Sequence, residues 1–428
     1  MLKLTLTPGA NLDRVLESVS RSFLSLLEEA GRSGVLRIYS YLNPDPLVAA
    51  SMVFLKAVSV GVEPVVTLAL NPPAVVEEPS VLLGFGNLDY KSSDVKSKLL
   101  AFYSGELKSV PVHGATYVDG QGSVSAMVYL SLTGGREYDL AYVTAALAGS
   151  YLSRFVDRQG RFHGLDRVVL DKLRLATRLS LEMVTTLKGY KPASRDACES
   201  LSVTSSPYYP SLTGDYELCI KTLQTRNLSH LLGVKLASLD QKSLEALVAA
   251  VADVARRVYN ADLDPGELVG GILVSTSPES PVVDFREAAD ALTYISEAVM
   301  DPGRLIATLV DVENEYPIVE ARLEGYASRL NELIRGVKPA KMKGGIKTQF
   351  YSVQLGAGDS PSLVWRALRA LKLVEQESVL VFESEGGHWI SPFQVEEALG
   401  YGGCRRLVEQ GLAELREGYL WAGRKLGV

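Results

Sequence analysis

The pattern of apolar and polar positions changes at one place that organises the chain. A β-branched and aromatic run from Val35 to Tyr41 has the composition of a buried strand, and it stops in a polar Asn-Pro-Asp-Pro turn. Asp45 is a good N-cap and Pro46 suits the first helical position, which predicts a helix from Pro46 to about Val60. The next apolar run, Glu63 to Leu70, predicts a second strand. The unit is therefore β-α-β, with its turn at the carboxyl edge of the sheet, where ligands usually bind.

Strands and helices continue to alternate up to residue 187. The further predicted strands are Ser80 to Phe85 and Leu99 to Tyr103, and the predicted helices are Asn11 to Ala30, Ser123 to Leu132, Tyr138 to Phe155 and the long amphipathic Gly164 to Leu187. This alternation predicts a doubly wound α/β domain with a mostly parallel sheet over residues 1–187.

The composition then changes. Residues 188–215 are rich in Gly, Pro, Ser and Thr and predict a linker. Residues 216–428 predict a smaller C-terminal α/β region with a helical insertion. Its predicted helices are 216–224, 243–259, 285–299, 317–337, 362–372 and 392–399, its predicted strands are 270–275, 348–355 and 378–383, and 304–310 is a strand or a buried segment.

Composition narrows the class of protein. A chain of 428 residues favours two or more domains, and the net charge of −6 argues against a protein that coats DNA. It contains no run of about eighteen uncharged apolar residues, so we expect no membrane span, and its charged first residues favour a cytoplasmic protein. The three cysteines are far apart and fit neither a zinc spacing nor a disulfide framework.

The turn after the first predicted strand resembles the first motif of the DHH phosphoesterase superfamily, the RecJ-like nucleases. In that motif a histidine and two aspartates hold divalent metal. Matched by position, this chain has Tyr41 for the histidine, Asn43 for the first aspartate and Asp45 for the second, with Pro46 in place of a glycine. Asp45 then either keeps part of a metal site or merely caps the following helix.

The other family motifs are changed as well. Gly84 stands where the second motif has an aspartate, and Ser153 stands where the fourth has one. The third motif, Asp-His-His, belongs in Leu99 to Val112, which contains neither residue type. We refer to Tyr41, Asn43, Asp45, Gly84 and Ser153 as the motif positions. One carboxylate among them is too few for two cations that activate water.

The resemblance continues beyond these motifs. Ser205 to Leu223 is similar to the linker of the archaeal RecJ-like group, and Val282 to Arg304 is similar to its Arg-Glu-Phe-Ala helix. The family's phosphate-gripping GGGH loop would correspond to Gly400 to Arg406, with Cys404 for the histidine. The positions that would then contact nucleic acid are Gly402, Gly403, Arg405 and Arg406, together with Arg154, Arg158 and Arg161 near the fourth motif. A winged helix over Ser391 to Gly423 is the alternative reading of this end.

The resemblance implies a function. The chain resembles the catalytically inactive RecJ-derived subunit of the MCM–GINS replicative helicase, with a C-terminal domain of the DHH-associated type. We therefore expect a non-catalytic replication factor that binds the GINS complex and the MCM helicase, with single-stranded DNA as a candidate ligand. No cofactor is expected beyond one weakly bound divalent ion on Asp45. The alternatives are an active DHH-type exonuclease or oligonucleotide phosphodiesterase with an altered metal site, and a nucleic-acid or nucleotide sensor.

Overall fold

The structure is a computed structural model that describes residues 2–110, 112–135, 139–175, 180–278, 280–337, 340–342, 348–384, 387–416 and 418–423. Residues 2–175 form the first lobe. Its strands are β1 (Leu2–Leu6), β2 (Val35–Tyr41), β3 (Glu63–Ala69), β4 (Ser80–Leu83), β5 (Asn87–Leu88), β6 (Leu99–Ser104), β7 (Lys108–Ser109) and β8 (Ala115–Gly120). Its helices are α1 (Leu12–Ser33), α2 (Pro44–Ser59), α3 (Val124–Thr133), α4 (Leu140–Leu152) and α5 (Gly164–Leu175).

The first lobe is built on a six-stranded sheet in the order β1-β8-β6-β4-β2-β3. Every strand pair in it is parallel. The predicted α/β class, with a mostly parallel sheet, is thus confirmed. The sequence pattern did not predict β1 or β8, because short segments that contain Lys, Thr or Asp carry a weak strand signal.

A middle segment connects the two sheets. It contains β9 (Leu181–Leu187), α6 (Ala197–Val203), α7 (Tyr216–Thr225), α8 (Gln241–Tyr259), α9 (Pro265–Leu268), β10 (Val269–Ser275), α10 (Phe285–Ala298), α11 (Gly303–Val310) and α12 (Val312–Gly336). The prediction of one helix from Gly164 to Leu187 is wrong, because α5 ends at Leu175 and β9 pairs antiparallel with β10. The β-branched run Val184-Thr185-Thr186 favours a strand, and its partner lies far along the chain. Residues 304–310 are helical rather than a strand.

The segment predicted as a linker is folded. It contains α6, and Tyr190, Tyr208 and Tyr209 within it are buried. Cys198 and Cys219 form a disulfide that joins α6 to α7, so the expectation of no disulfide is wrong. Cysteine spacing alone did not indicate this pair, because the fold brings the two helices together. The domain boundaries at 187 and 215 stay predictions.

The C-terminal lobe, residues 340–423, is built on a second six-stranded sheet in the order β11-β12-β13-β14-β16-β15, and β12 pairs parallel with β13. Its elements are β11 (Ala340–Met342), β12 (Gln349–Val353), α13 (Pro361–Ala370), β13 (Ser378–Ser384), β14 (Gly387–Ile390), α14 (Pro392–Leu399), α15 (Gly403–Glu409), β15 (Ala413–Arg416) and β16 (Tyr419–Ala422). The β15–β16 hairpin extends the sheet beside β14.

Alternate residues of the first sheet point to two hydrophobic clusters. Val81 and Leu83 of β4 belong to a cluster that includes the helices of the first lobe, whereas Leu82 belongs to a second cluster. The second cluster continues into Phe350 and Val379 of the C-terminal sheet. The two lobes therefore share buried apolar surface. In the part of the chain that the structure describes, no helix is long and apolar enough to cross a membrane.

Candidate functional site

The loop that follows β2 carries the first motif positions. Asn43 is the N-cap of α2, and its side-chain oxygen accepts the backbone N–H of Asp45 at 3.3 Å. Pro44 and Pro46 lie in the first turn, where a missing N–H leaves no helical hydrogen bond unmade. The helix thus begins at Pro44, and the prediction that Asp45 caps it is wrong. Asn43 is the cap because it directly precedes Pro44, whose fixed φ starts the helix.

Asp45 contacts a different helix. Its side chain is buried, Oδ2 accepts the backbone N–H of Val124 at 2.7 Å, and Oδ1 accepts that of Ser125 at 3.0 Å. These N–H groups belong to the first turn of α3 and have no partner within that helix. Burial raises the pKa of Asp45 to about 7, whereas the hydrogen bonds from Ser125 and Val124 lower it. Asp45 therefore joins α2 to α3, and both of its oxygens are engaged.

Gly84 lies at the carboxyl end of β4 in a backbone conformation that excludes a side chain. Its φ is +82°, and a Cβ added there would lie 2.5 Å from Cγ of Pro46. A left-handed φ already disfavours other residues, and the contact with the proline ring adds a steric clash. The aspartate of the second motif therefore has no room at this position. Pro46, which replaces the family's glycine, is the residue that fills the space.

The remaining motif positions are held by hydrogen bonds within the chain. The hydroxyl of Ser153, the C-cap of α4, donates to the carbonyl of Gly149 at 2.8 Å. The hydroxyl of Tyr41, which ends β2, donates to Oε1 of Glu396 in α14 at 2.8 Å. Burial, followed by the charge of Glu396, raises the pKa of Tyr41 well above its ordinary value, so the phenol stays protonated.

A cleft of about 550 Å³ lies between the lobes, and four motif positions line it: Asn43, Asp45, Gly84 and Ser153. Two divalent cations about 4 Å apart would need several carboxylates and imidazoles that converge on them. The motif positions offer one carboxylate, whose oxygens accept backbone N–H groups. Among the described residues, no group of three or more His, Cys, Asp and Glu is arranged to hold a metal ion. This donor set does not fit a two-metal centre, and a single weak ion on Asp45 stays a prediction.

The glycine-rich loop from Gly400 to Arg406 approaches the same cleft. The backbone N–H of Gly402 donates to Oε2 of Glu396 at 2.9 Å, and that of Cys404 donates to Oε1 at 2.8 Å. The N–H of Gly403 donates to the carbonyl of Gly400 at 3.0 Å. Two of the amides that would correspond to the phosphate-binding loop, those of Gly402 and Cys404, therefore donate to a carboxylate of the chain itself, and the third donates to a backbone carbonyl.

The candidate arginines each have a partner within the chain. Arg405 pairs with Glu409 at 2.7 Å, and Arg406 donates to the carbonyl of Leu399 at 2.7 Å. Arg154, which lines the cleft, donates to the carbonyl of Glu397 at 2.8 Å. The other two pair with acidic side chains: Arg158 with Asp264 and Glu267, and Arg161 with Asp157. The side chains of Arg154, Arg158 and Arg161 are 62%, 61% and 70% exposed, so these three remain accessible to a ligand.

Of the charged residues that line the cleft, sequence reasoning identified Asp45 and Arg154 and missed the others. The cations that line it are Arg154, Lys188, Arg286, Arg366 and Arg369, and the acids are Asp45, Asp157, Glu267, Asp290, Glu396 and Glu397. Arg366 lies between Asp290 and Glu397, at 2.5 and 2.9 Å. Burial lowers the pKa of Lys188 to about 8. The charges of this lining nearly cancel, which a sequence scan for basic clusters does not reveal.

Comparison with known proteins places the fold. No family model and no curated protein sequence matches the chain. The crystal structure of CDC45 from Entamoeba histolytica aligns with 98% of this chain and 96% of that chain, at 10% sequence identity and a TM-score of 0.58. This chain has the CDC45 fold. At 10% identity this likeness is one of fold.

Two structures of the exonuclease RecJ align less closely than CDC45 does. The one bound to manganese aligns with 87% of this chain and 81% of its own, at 12% identity and a TM-score of 0.33. The one from Thermus thermophilus, in complex with Mn²⁺, aligns with 91% and 72%, at 13% identity and a TM-score of 0.27. With TM-scores below 0.5, neither RecJ structure adds to the likeness to CDC45.

Proposed function

We propose that this chain is a non-catalytic, RecJ-like replication factor that binds the GINS complex and the MCM helicase. The observation that carries the proposal is the CDC45 fold, which extends over 98% of the chain. Together with the motif positions, this fold supports a likeness to the RecJ-derived subunit of the replicative helicase assembly. The proposed protein is archaeal, acts in the cytoplasm and needs no cofactor.

The chemistry of the motif positions supports the proposed absence of catalysis. Phosphodiester hydrolysis in this superfamily depends on two cations that activate water and stabilise the leaving oxygen. Here Gly84 has no room for a side chain, and the oxygens of Asp45 accept the N–H groups that begin α3. A rearranged metal site would first have to displace these contacts.

Single-stranded DNA is proposed as a weakly held ligand. A cleft that binds DNA firmly presents an excess of Lys and Arg to the phosphates. In this cleft the cations are matched by carboxylates, and Arg366 is already paired with Asp290 and Glu397. We therefore expect a low affinity that falls further as salt rises from about 50 to 200 mM.

A nuclease assay separates this proposal from an active DHH-type enzyme. Labelled single-stranded DNA and short RNA are incubated with Mn²⁺ and the purified protein, its Asp45→Ala variant and an Asp13→Ala control at an exposed site. We expect no degradation by any of the three. Turnover that Asp45→Ala abolishes and Asp13→Ala retains would show an enzyme and contradict the proposal.

Affinity capture from native extract separates the proposal from a nucleotide sensor. Recovery of GINS and MCM with the tagged protein supports a helicase factor. Their absence at low salt, together with tight binding of a nucleotide, would favour the sensor.

A further inference from the structure

Tyr41, the motif position at the end of β2, and the glycine-rich loop both donate hydrogen bonds to one buried carboxylate, that of Glu396. Glu396 is 6% exposed, and it accepts the hydroxyl of Tyr41 from the first lobe and the backbone N–H groups of Gly402 and Cys404 from its own lobe. Each of these three hydrogen bonds is between 2.8 and 2.9 Å long. We propose that Tyr41, Glu396, Tyr401 and the loop 402–404 form a latch that fixes the two lobes in the closed arrangement.

A second set of contacts crosses the same boundary. The ring of Tyr401 packs on that of Tyr41, with centroids 4.9 Å apart, and meets the edge of Tyr103 at 5.4 Å. Its hydroxyl donates to the carbonyl of Gly84. The carboxyl ends of β2, β4 and β6 therefore all contact one residue that is far from them in the sequence.

The latch gives the motif positions a new role. Tyr41 stands where the family has a histidine, and its hydroxyl now reaches a carboxylate of the other lobe. Gly84 stands where the family has an aspartate, and its carbonyl now accepts the hydroxyl of Tyr401. Glu396 accepts the backbone N–H groups of Gly402 and Cys404, so the glycine-rich loop binds a carboxylate of the chain itself and not an external anion.

The latch predicts a rigid molecule. Glu396, Tyr401 and Gly84 all line the cleft, so the latch forms part of its wall. Separation of the lobes would break the hydrogen bond from Tyr41 to this buried carboxyl group and the contacts of Tyr401 with Tyr41, Tyr103 and Gly84. The lobes therefore present one fixed surface to a partner. This inference does not depend on the proposed function.

Amide hydrogen exchange followed by mass spectrometry tests the latch. Tyr41→Phe removes one hydroxyl and leaves every bond within the C-terminal lobe, and Tyr90→Phe is the matched control, since Tyr90 is a buried tyrosine of the first lobe that donates to the carbonyl of Pro73 at 2.8 Å. We expect Tyr41→Phe to accelerate exchange about tenfold or more in both peptides 80–86 and 399–406, because the hydrogen bond that joins the lobes at a buried carboxyl group is lost. Tyr90→Phe should leave peptide 399–406 unchanged.

Glu396→Gln provides the second arm. It should accelerate the same two peptides, and the double variant with Tyr41→Phe should be no faster than Glu396→Gln alone. Unchanged exchange in Tyr41→Phe would overturn the latch, and so would acceleration confined to the peptide of the mutated lobe in either single variant. If Glu396→Gln does not fold, Tyr41→Phe alone decides the question, because its own lobe keeps all of its other contacts.

Discussion

Asp45 is the surviving carboxylate of the motif positions, and its substitution by asparagine tests how the fold has reused it. The carboxylate is buried and accepts the N–H groups of Val124 and Ser125 at the start of α3. Two effects compete there. Burial disfavours the charge, whereas the N-terminus of a helix favours it.

The pKa of Asp45 gives the balance of these effects. It is raised from 3.8 to about 7 by burial. The folded protein therefore binds a proton that the unfolded chain releases, so the contribution of this group to stability is complete below pH 3.8 and is lost as the pH rises towards 7. At about 1.36 kcal/mol for each unit, this loss is about 4 kcal/mol.

The asparagine of the Asp45→Asn variant has a similar shape to the aspartate and no proton to lose. We expect the wild-type protein to lose about 4 kcal/mol relative to Asp45→Asn between about pH 4 and pH 8. Guanidinium unfolding followed by circular dichroism across this range measures the difference, and Asp13→Asn, at an 83% exposed side chain, controls for net charge. If the wild-type protein instead gains stability relative to the variant as the pH rises, the helix N-terminus outweighs burial and the reasoning is refuted.

Four other variants test features of the fold by unfolding free energy. Gly84→Ala should destabilise the protein by at least about 2 kcal/mol, because of the positive φ and the clash. Gly325→Ala, in a helix with open space around the added methyl group, should stabilise it by about 0.5–1 kcal/mol, and equal effects at the two sites would contradict this account. Arg366→Ala should destabilise it by about 3 kcal/mol by removing the guanidinium that pairs with both Asp290 and Glu397, and a neutral effect would show that these carboxylates are solvated. Replacing Cys198 and Cys219 together by serine should lower the unfolding free energy by about 3 kcal/mol under oxidising conditions, with no difference under reducing conditions, whereas equal loss in both would implicate packing rather than the disulfide.

The sequence predicted those parts of the fold that local patterns determine. β4 and most of β6 are buried on both faces and read as apolar runs. β2 and β3 are less buried, and they could be predicted because they are rich in β-branched or aromatic residues. The turn after β2 could be predicted because the two prolines of Asn-Pro-Asp-Pro cannot continue the strand, whereas Asn or Asp followed by Pro is typical of the start of a helix. The β9–β10 pair and the Cys198–Cys219 disulfide were missed because their partners are brought together only by the tertiary fold.

The candidate site also has features that a local sequence pattern predicts and contacts that only the tertiary fold creates. The sequence identified the motif positions, since each follows a recognisable strand or helix. It did not show that Asp45 reaches α3 or that Glu396 reaches Tyr41, because the latter contact joins residues 355 positions apart. Such a pair leaves no periodic signal in one sequence. The near-neutral cleft was hidden for the same reason, because its cations and carboxylates come from both lobes and the middle segment.

The central claim is that the chain is a partner-binding subunit of the replicative helicase, and affinity capture tests it most directly. The full chain, tagged at one end, is incubated with native extract in low salt, and the eluate is identified and quantified by mass spectrometry against an extract with the tag alone. The account predicts that GINS and MCM subunits are recovered in amounts comparable to the bait. Recovery of neither, from an extract in which both are detected, would contradict it.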